Sequence, residues 1–418
     1  MLDLDHGQEI AAALARNKLR TGLTAFGVFW GMFLLVVMLG SGRGVENGVN
    51  QDYAGEATNS FYVWCNRSTK PYRGLPVGRS ISMTNDDVAA VRQGVPAVAV
   101  IAPRLQLGGY GGGNNVTRGV RSGAFSVNGD VPDLVKTQAK RITRGRFLNP
   151  LDLDEERKVA VIGTRVAEIL FAKDEEPVGQ GIRINGIEFK VVGVFRPVRA
   201  GDDGDRDGQT IHVPFSTFQR AFNASNRVGW LAVTSRDGVP ASVAEARTLE
   251  LLKSRHSVAP DDLRAFGHWN VEDEYERLVK LFAGIRLLVW IVGVGTLAAG
   301  VIGVSNIMLV IVKERTKEIG IRRAVGAAPA AIVSQVLMEA MLLTSCAGYV
   351  GLMAGMGALE LTRALLVGSS TRMFVNPDVD LATALQALAV LVVSGSLAGL
   401  LPAQRAIRIN PVEALRAS

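Results

Sequence analysis

Residues Lys313–Pro329 read KERTKEIGIRRAVGAAP. The stretch lies between two apolar segments, each longer than the roughly 20 residues needed to cross a bilayer. Five of its first eleven residues are basic: Lys313, Arg315, Lys317, Arg322 and Arg323. Short loops rich in Lys and Arg stay on the cytoplasmic side, so this loop sets the orientation of every other span. It also reads as a short amphipathic helix closed by a Gly-Ala-Ala-Pro break. A cytoplasmic helix strung between two spans is a handle on which a partner can push.

Working outward, residues 276–312 form a stalk and second transmembrane helix, and residues 331–360 the third. Residues 381–404 supply a fourth and 21–42 the first. A charged approach, Asn270–Arg286, is helix-prone and can run on as one helix into the second span. Four spans place both termini on the side of the basic loop. The first 20 residues read as a cytoplasmic amphipathic helix, with Arg16, Lys18 and Arg20 beside the membrane. The tail, 405–418, adds Arg405, Arg408 and Arg416. The short outer loop, 361–380, carries only Arg363 and Arg372 as basic residues. All three predicted inner segments are therefore basic, as the positive-inside rule requires.

Residues 43–275 remain as one large extracytoplasmic domain. Arg157–Ile162 and Arg227–Ser235 read as strands. Gly181–Phe195 reads as a hairpin around Asn185-Gly186, the dipeptide that supplies the positive φ of a type I′ turn. Thr84–Gln93, Thr164–Phe171 and Ser242–Lys253 read as helices. The fold class is thus membrane α-helical, four transmembrane helices, with a large α+β extracytoplasmic domain between helices 1 and 2.

The net charge of +7 falls largely at span ends, which removes the case for nucleic acid as a partner. The two cysteines, Cys65 and Cys346, are too far apart in topology to bridge, and Cys65 reads as a small buried hydrophobe or an unpaired thiol. No GxxxxGK[ST], HExxH or GxSxG motif occurs in the 418 residues. The expectation is therefore no catalytic residue, no cofactor and no metal. Gly108–Asn115 reads as a loop without a ligand. Gly201–Gly208, GDDGDRDG, has calcium-like spacing but no bidentate Glu follows, so it reads as an exposed turn.

Three small-xxx-small pairs occur in the spans: Gly27/Gly31, Gly351/Gly355 and Gly395/Gly399. Such pairs allow close helix approach, within one subunit or across a dimer. The pair in span one is the better dimer candidate. Glu339 lies in span three, about ten residues from the basic loop. Pairing with Arg322 or Arg323 and a buried functional role both remain open for it.

The core ERTKEIGIRRAVGA resembles the cytoplasmic loop of MacB/FtsX-like permeases, the membrane subunits of type VII ABC transporters. The tail LPAQRAIRINPVEALRAS is similar to their usual ending, with Pro402, Ala403, Ala406, Pro411, Ala414, Leu415 and Arg416 in the matching places. The order of spans and outer domain is also theirs. Phe61–Arg79 resembles a variant common in Bacteroidetes permeases, which implies a Gram-negative inner membrane and a periplasmic outer domain.

The resemblance implies that two permease chains pair, as a homo- or heterodimer, and that each docks a cytoplasmic ABC ATPase subunit. Lys313, Glu314, Arg315, Lys317, Glu318, Ile319, Arg322, Arg323 and Gly326 would form the ATPase-coupling site. ATP and Mg would sit on the ATPase and none on this chain. MacB itself carries a fused ATPase ahead of its first span. These 418 residues hold no Walker motif, so the expectation is an ATPase on a separate polypeptide. ATP-driven movement of the outer domain, mechanotransmission, would then drive efflux with a periplasmic adaptor and a TolC-like outer-membrane channel. The alternatives are extraction of lipoprotein or lipid from the membrane, and an FtsX-like scaffold that activates a cell-wall hydrolase.

Overall fold

The computed structural model describes residues 18–108, 113–199, 201–366, 375–377 and 381–409. Most of the N-terminal amphipathic helix lies outside these residues. So do the middle of the Gly-rich segment, nearly all of the outer loop beyond residue 366, and the tail beyond residue 409. The described chain forms two compact units. One is Val49–Lys280; the other holds the apolar helices before and after it, up to Gly48 and from Leu281.

Among the described residues, the unit between the helices carries eleven strands. They are β1 (Ser60–Cys65), β2 (Val98–Gln106), β3 (Asn114–Arg118), β4 (Arg121–Asp130), β5 (Lys140–Gly145) and β6 (Val159–Gly163). Then follow β7 (Gly181–Ile184), β8 (Ile187–Pro197), β9 (Thr210–Pro214), β10 (Trp230–Ser235) and β11 (Phe266–Asn270). β11, β1, β10 and β2 lie side by side in that order, all antiparallel. The helix Asn85–Gly94 connects β1 to β2, and Ala241–Arg255 connects β10 to β11. Two βαβ units interleaved in this order make a split βαβ, or ferredoxin-like, lobe. Phe61 and Val63 point into the core with Val91 and Leu252 of the two helices, while Trp64 is 38% exposed. Tyr62, on the opposite face, is buried with Leu134 and Val271, so that face too is covered at this end of the strand.

Residues 107–229 form a second lobe, inserted between β2 and β10. Its strands run β4, β3, β7, β8, β6, β9, and a parallel β4–β9 pair brings the last back to the first. The six strands therefore close into a ring, which leaves no open edge among them. β5 adds to the far half of β8. Val116, Phe125, Ile182, Phe189, Ile211 and Val213 fill the inside. The β7–β8 hairpin turns on Asn185 (φ 46°) and Gly186 (φ 86°), with Ile184 opposite Ile187. Two positive φ values in a two-residue loop are what a type I′ turn demands.

Gly201–Gly208 departs from its sequence reading: it is a helix rather than an exposed turn. Tertiary contact overrides a composition that disfavours helix. A side chain at Gly204 would meet the carbonyl oxygen of Arg199 at 2.4 Å, and one at Gly163 would meet that of Gly208 at 2.2 Å. The glycines let the segment pack this closely, and Asp207 pairs with Lys140 at 3.5 Å.

The other unit contains helices long and apolar enough to cross a membrane: Ala25–Asp52, Val271–Glu314, Pro329–Leu366 and Thr383–Ile407. The first helix exceeds its sequence bounds most, and the second begins where the helix-prone approach Asn270–Arg286 begins. The first helix runs through Gly44 and Gly48 to Asp52, because glycine weakens a helix without ending it. The second starts at Val271, where the Asn270 side chain caps it by accepting from the Asp273 N–H at 3.1 Å. Within the unit, Met32, Leu35, Leu297, Met308, Val336, Leu343, Leu391 and Ala398 share one apolar cluster.

Candidate coupling site

The basic stretch forms a nine-residue helix, Thr316–Ala324, joined to the second apolar helix at Arg315. Its end is a Schellman motif. Gly326 takes φ +101°, its N–H donates to the Arg323 carbonyl, and the Ala327 N–H donates to the Arg322 carbonyl. A non-glycine residue at 326 would be strained, since this φ favours glycine. Gly326 thus sets where the helix stops, and Pro329 opens the third apolar helix.

One side of the short helix faces a small cleft formed with the ends of the second and third apolar helices. Arg315, Glu318, Ile319, Arg322, Gln335 and Glu339 are among its lining residues. Arg315 pairs with Glu339 at 3.1 Å, and the Glu339 side chain is only 8% exposed. Arg322 bridges Glu318 at 2.9 Å and the Gln335 side-chain oxygen at 3.0 Å. Arg323 donates to the carbonyls of Ile407 (2.7 Å) and Ile409 (2.5 Å). It therefore caps the end of the fourth apolar helix, where orphan carbonyls carry partial negative charge. Ile319 is buried beneath the short helix.

Glu339 takes Arg315 as its partner, not Arg322 or Arg323. Helical spacing explains the choice: Arg322 and Arg323 lie two turns further along, where Gln335 and the end of the fourth helix meet them. All three arginines of the sequence-derived set are thus engaged inside the chain. Lys313, Glu314, Lys317 and Glu318 are exposed. The sequence reading missed Ile321 and Val325, which are 44% and 83% exposed. They form an i,i+4 apolar pair on the face away from Ile319, and that offset was the available signal.

The glycine pairs face helices of the same chain. Gly27 lies against Gly300, and Gly31 against Leu297 of the second apolar helix. Gly351 meets Phe29 and Met32, and Gly355 meets Val36, all on the first helix. Gly395 packs on Thr344 and Met341, and Gly399 on Leu337 and Ala340. The contacts at Gly27 and Gly31 are intrachain, the first of the two packings that the sequence left open.

Residues 21–251 match the MacB-like periplasmic core domain, and residues 290–411 match the FtsX-like permease C-terminal domain. The chain belongs to the MacB/FtsX-like permease family. Among curated relatives of this permease is the pyoverdine export ATP-binding/permease protein PvdT of Pseudomonas putida. It is 33% identical over 96% of this chain and 57% of its own length. The macrolide export ATP-binding/permease protein MacB of Bdellovibrio bacteriovorus is 28% identical over 99% of this chain and 62% of its own. The chain thus spans about three-fifths of these relatives. The crystal structure of the periplasmic region of MacB from Actinobacillus actinomycetemcomitans superposes with a TM-score of 0.43. Its identity is 20%, over 54% of this chain and 94% of that one.

Proposed function

We propose that this permease transmits the work of an ABC ATPase from Lys313–Pro329 to its apolar helices, and that their motion drives the extramembrane domain to export a substrate. The reading is carried by the geometry of the short helix. Its inner arginines grip the third and fourth apolar helices, while Lys317, Ile321 and Val325 are exposed for a partner. A push on the outer face is then passed inward through Arg315–Glu339 and Arg323.

The ATPase lies outside these 418 residues and holds the ATP and Mg. The basic loop faces the cytoplasm with both termini, and the large domain faces the periplasm across an inner membrane. Export is favoured over lipid extraction or a scaffold role because the relatives above are named as exporters of pyoverdine and of macrolides. A drug, peptide or siderophore is the substrate class. A second permease chain, a periplasmic adaptor and a TolC-like channel complete the assembly.

The test is affinity capture of the tagged chain from native membranes, with mass spectrometry of its companions. An ATPase with an adaptor supports export. A cell-wall hydrolase in the adaptor's place moves the reading to a scaffold. Ile321→Glu with Val325→Glu is expected to lose the ATPase while inserting normally. Undiminished ATPase recovery with that double variant would sink the assigned face.

A further inference from the structure

The two lobes of the extramembrane domain meet at a buried charged cluster that export does not use. Arg104 lies on β2 of the ferredoxin-like lobe. Asp130 ends β4 and His212 lies on β9 of the ring lobe. Asp130 accepts from the Arg104 Nε at 2.5 Å, and its other oxygen meets the His212 Nδ1 at 2.6 Å. The side chains of Asp130 and His212 are at most 1% exposed. Arg104 also donates to Gln138 at 3.2 Å, which in turn donates to Glu56 and to the Tyr62 hydroxyl. Strand pairing between β2 and β4 covers only Leu105 with Gly129 and Gln106 with Asn128. The cluster is the buried charged contact at a junction that Asn85–Gln219 and Thr137–Thr234 also bridge.

His212 is the odd member. Its Nε2 is buried with no hydrogen-bond partner. Phe195 and Phe147 lie at 5.1 and 5.7 Å from the ring. Lys140 of β5 stands over Phe195 and is 4% exposed, with Asp207 of the helix Gly201–Gly208 as its partner. Arg199 pairs with Glu56 at 2.8 Å. Three cations (Arg104, Lys140, Arg199) thus face three carboxylates (Asp130, Asp207, Glu56) when the imidazole is neutral. A proton on His212 breaks that balance and places an N–H⁺ where nothing accepts it. Burial accordingly pushes the His212 pKa down. Asp130 opposes this, and Lys140 and Arg104 reinforce it.

We propose that His212 is a proton-operated release for the junction between the two lobes, closed at neutral pH and loosened when the compartment bathing this domain acidifies. Protonation turns a balanced cluster into one with an excess buried cation, and the Arg104–Asp130–His212 contact opens to water. His256–Asp87 and His268–Glu245 lie wholly within the ferredoxin-like lobe, so they report on that lobe and not on the junction.

The test is hydrogen exchange of the full chain in lipid nanodiscs at pH 7.5 and 5.5, corrected for intrinsic exchange. Peptides covering 100–106, 126–131 and 208–214 are expected to lose protection at pH 5.5 by up to about tenfold, the limit that one pH unit below an open-state pKa of about 6.5 sets. His212→Asn, whose amide can still donate to Asp130, is expected to abolish that loss. Equal junction protection at both pH values, or a loss in His212→Asn matching the parent, overturns the proposal. Should the variant fail to fold, NMR titration of ring-labelled histidines in the parent chain decides. Junction opening that follows His212 supports it, and opening that follows His256 or His268 overturns it.

Discussion

The lobe junction and the coupling site both use arginine–carboxylate pairs, yet they bury them very differently. At the junction the Arg104 and Asp130 side chains are 8% and 0% exposed. At the coupling site Arg315 is 25% exposed over a buried Glu339 (8%), and the Arg322–Glu318 pair is 37% and 52% exposed. A fully buried pair fixes geometry at the cost of desolvation, and losing one partner strands a charge. A half-solvated pair holds weakly and can be remade. The first kind suits a joint that must hold until a defined trigger. The second suits a helix that a partner has to reposition.

The sharpest way to break this contrast is Asp130→Ala. It strands Arg104 in the core and removes the partner of His212. We expect a loss of about 3–5 kcal/mol in the extramembrane domain, read from denaturant unfolding of the full chain by tryptophan fluorescence. A loss no larger than that of a surface pair would erase the distinction.

Next in size is Gly351→Leu. A Cβ there lies 2.5 Å from the Phe29 carbonyl oxygen and 3.1 Å from the Met32 Cβ. Overpacking should cost about 2 kcal/mol, seen as a lower melting temperature in detergent. Gly357→Ala, with nothing within 4 Å, should not lower it.

Acidity gives a graded test. The folded His212 pKa lies below its unfolded value of about 6.5. The unfolded chain then takes the proton first. The stability that neutral His212 contributes is complete above about pH 6.5 and is lost as pH falls below it. The slope is at most about 1.4 kcal/mol per pH unit. His212→Asn should flatten that part of the stability profile, and an unchanged slope would assign it to other groups.

The smallest effect on stability is expected at Glu339→Gln, about 1 kcal/mol. Its consequence should lie in transmission: the ATPase still binds and hydrolyses ATP, but substrate export per ATP falls. Loss of ATPase binding in this variant would instead make Glu339 part of the docking face.

Several elements were legible because they are local. The Asn185-Gly186 turn and the helix closed by Gly326 follow from backbone preferences of neighbouring residues. Apolar length made the four spans legible, since a bilayer asks only for enough consecutive hydrophobic residues. The helix at Gly201–Gly208 was not legible, because packing of its glycines against Arg199 and Gly163 outweighs its composition. Nor were the ferredoxin-like order of β11, β1, β10 and β2 and the closure of the ring through β4 and β9. Those pairings join residues more than 80 positions apart, and no local preference encodes them. The family resemblance nominated Arg315, Arg322 and Arg323 as coupling residues. Only the packed structure turned them inward, because each finds an acceptor on a neighbouring helix, and left Ile321 and Val325 outside.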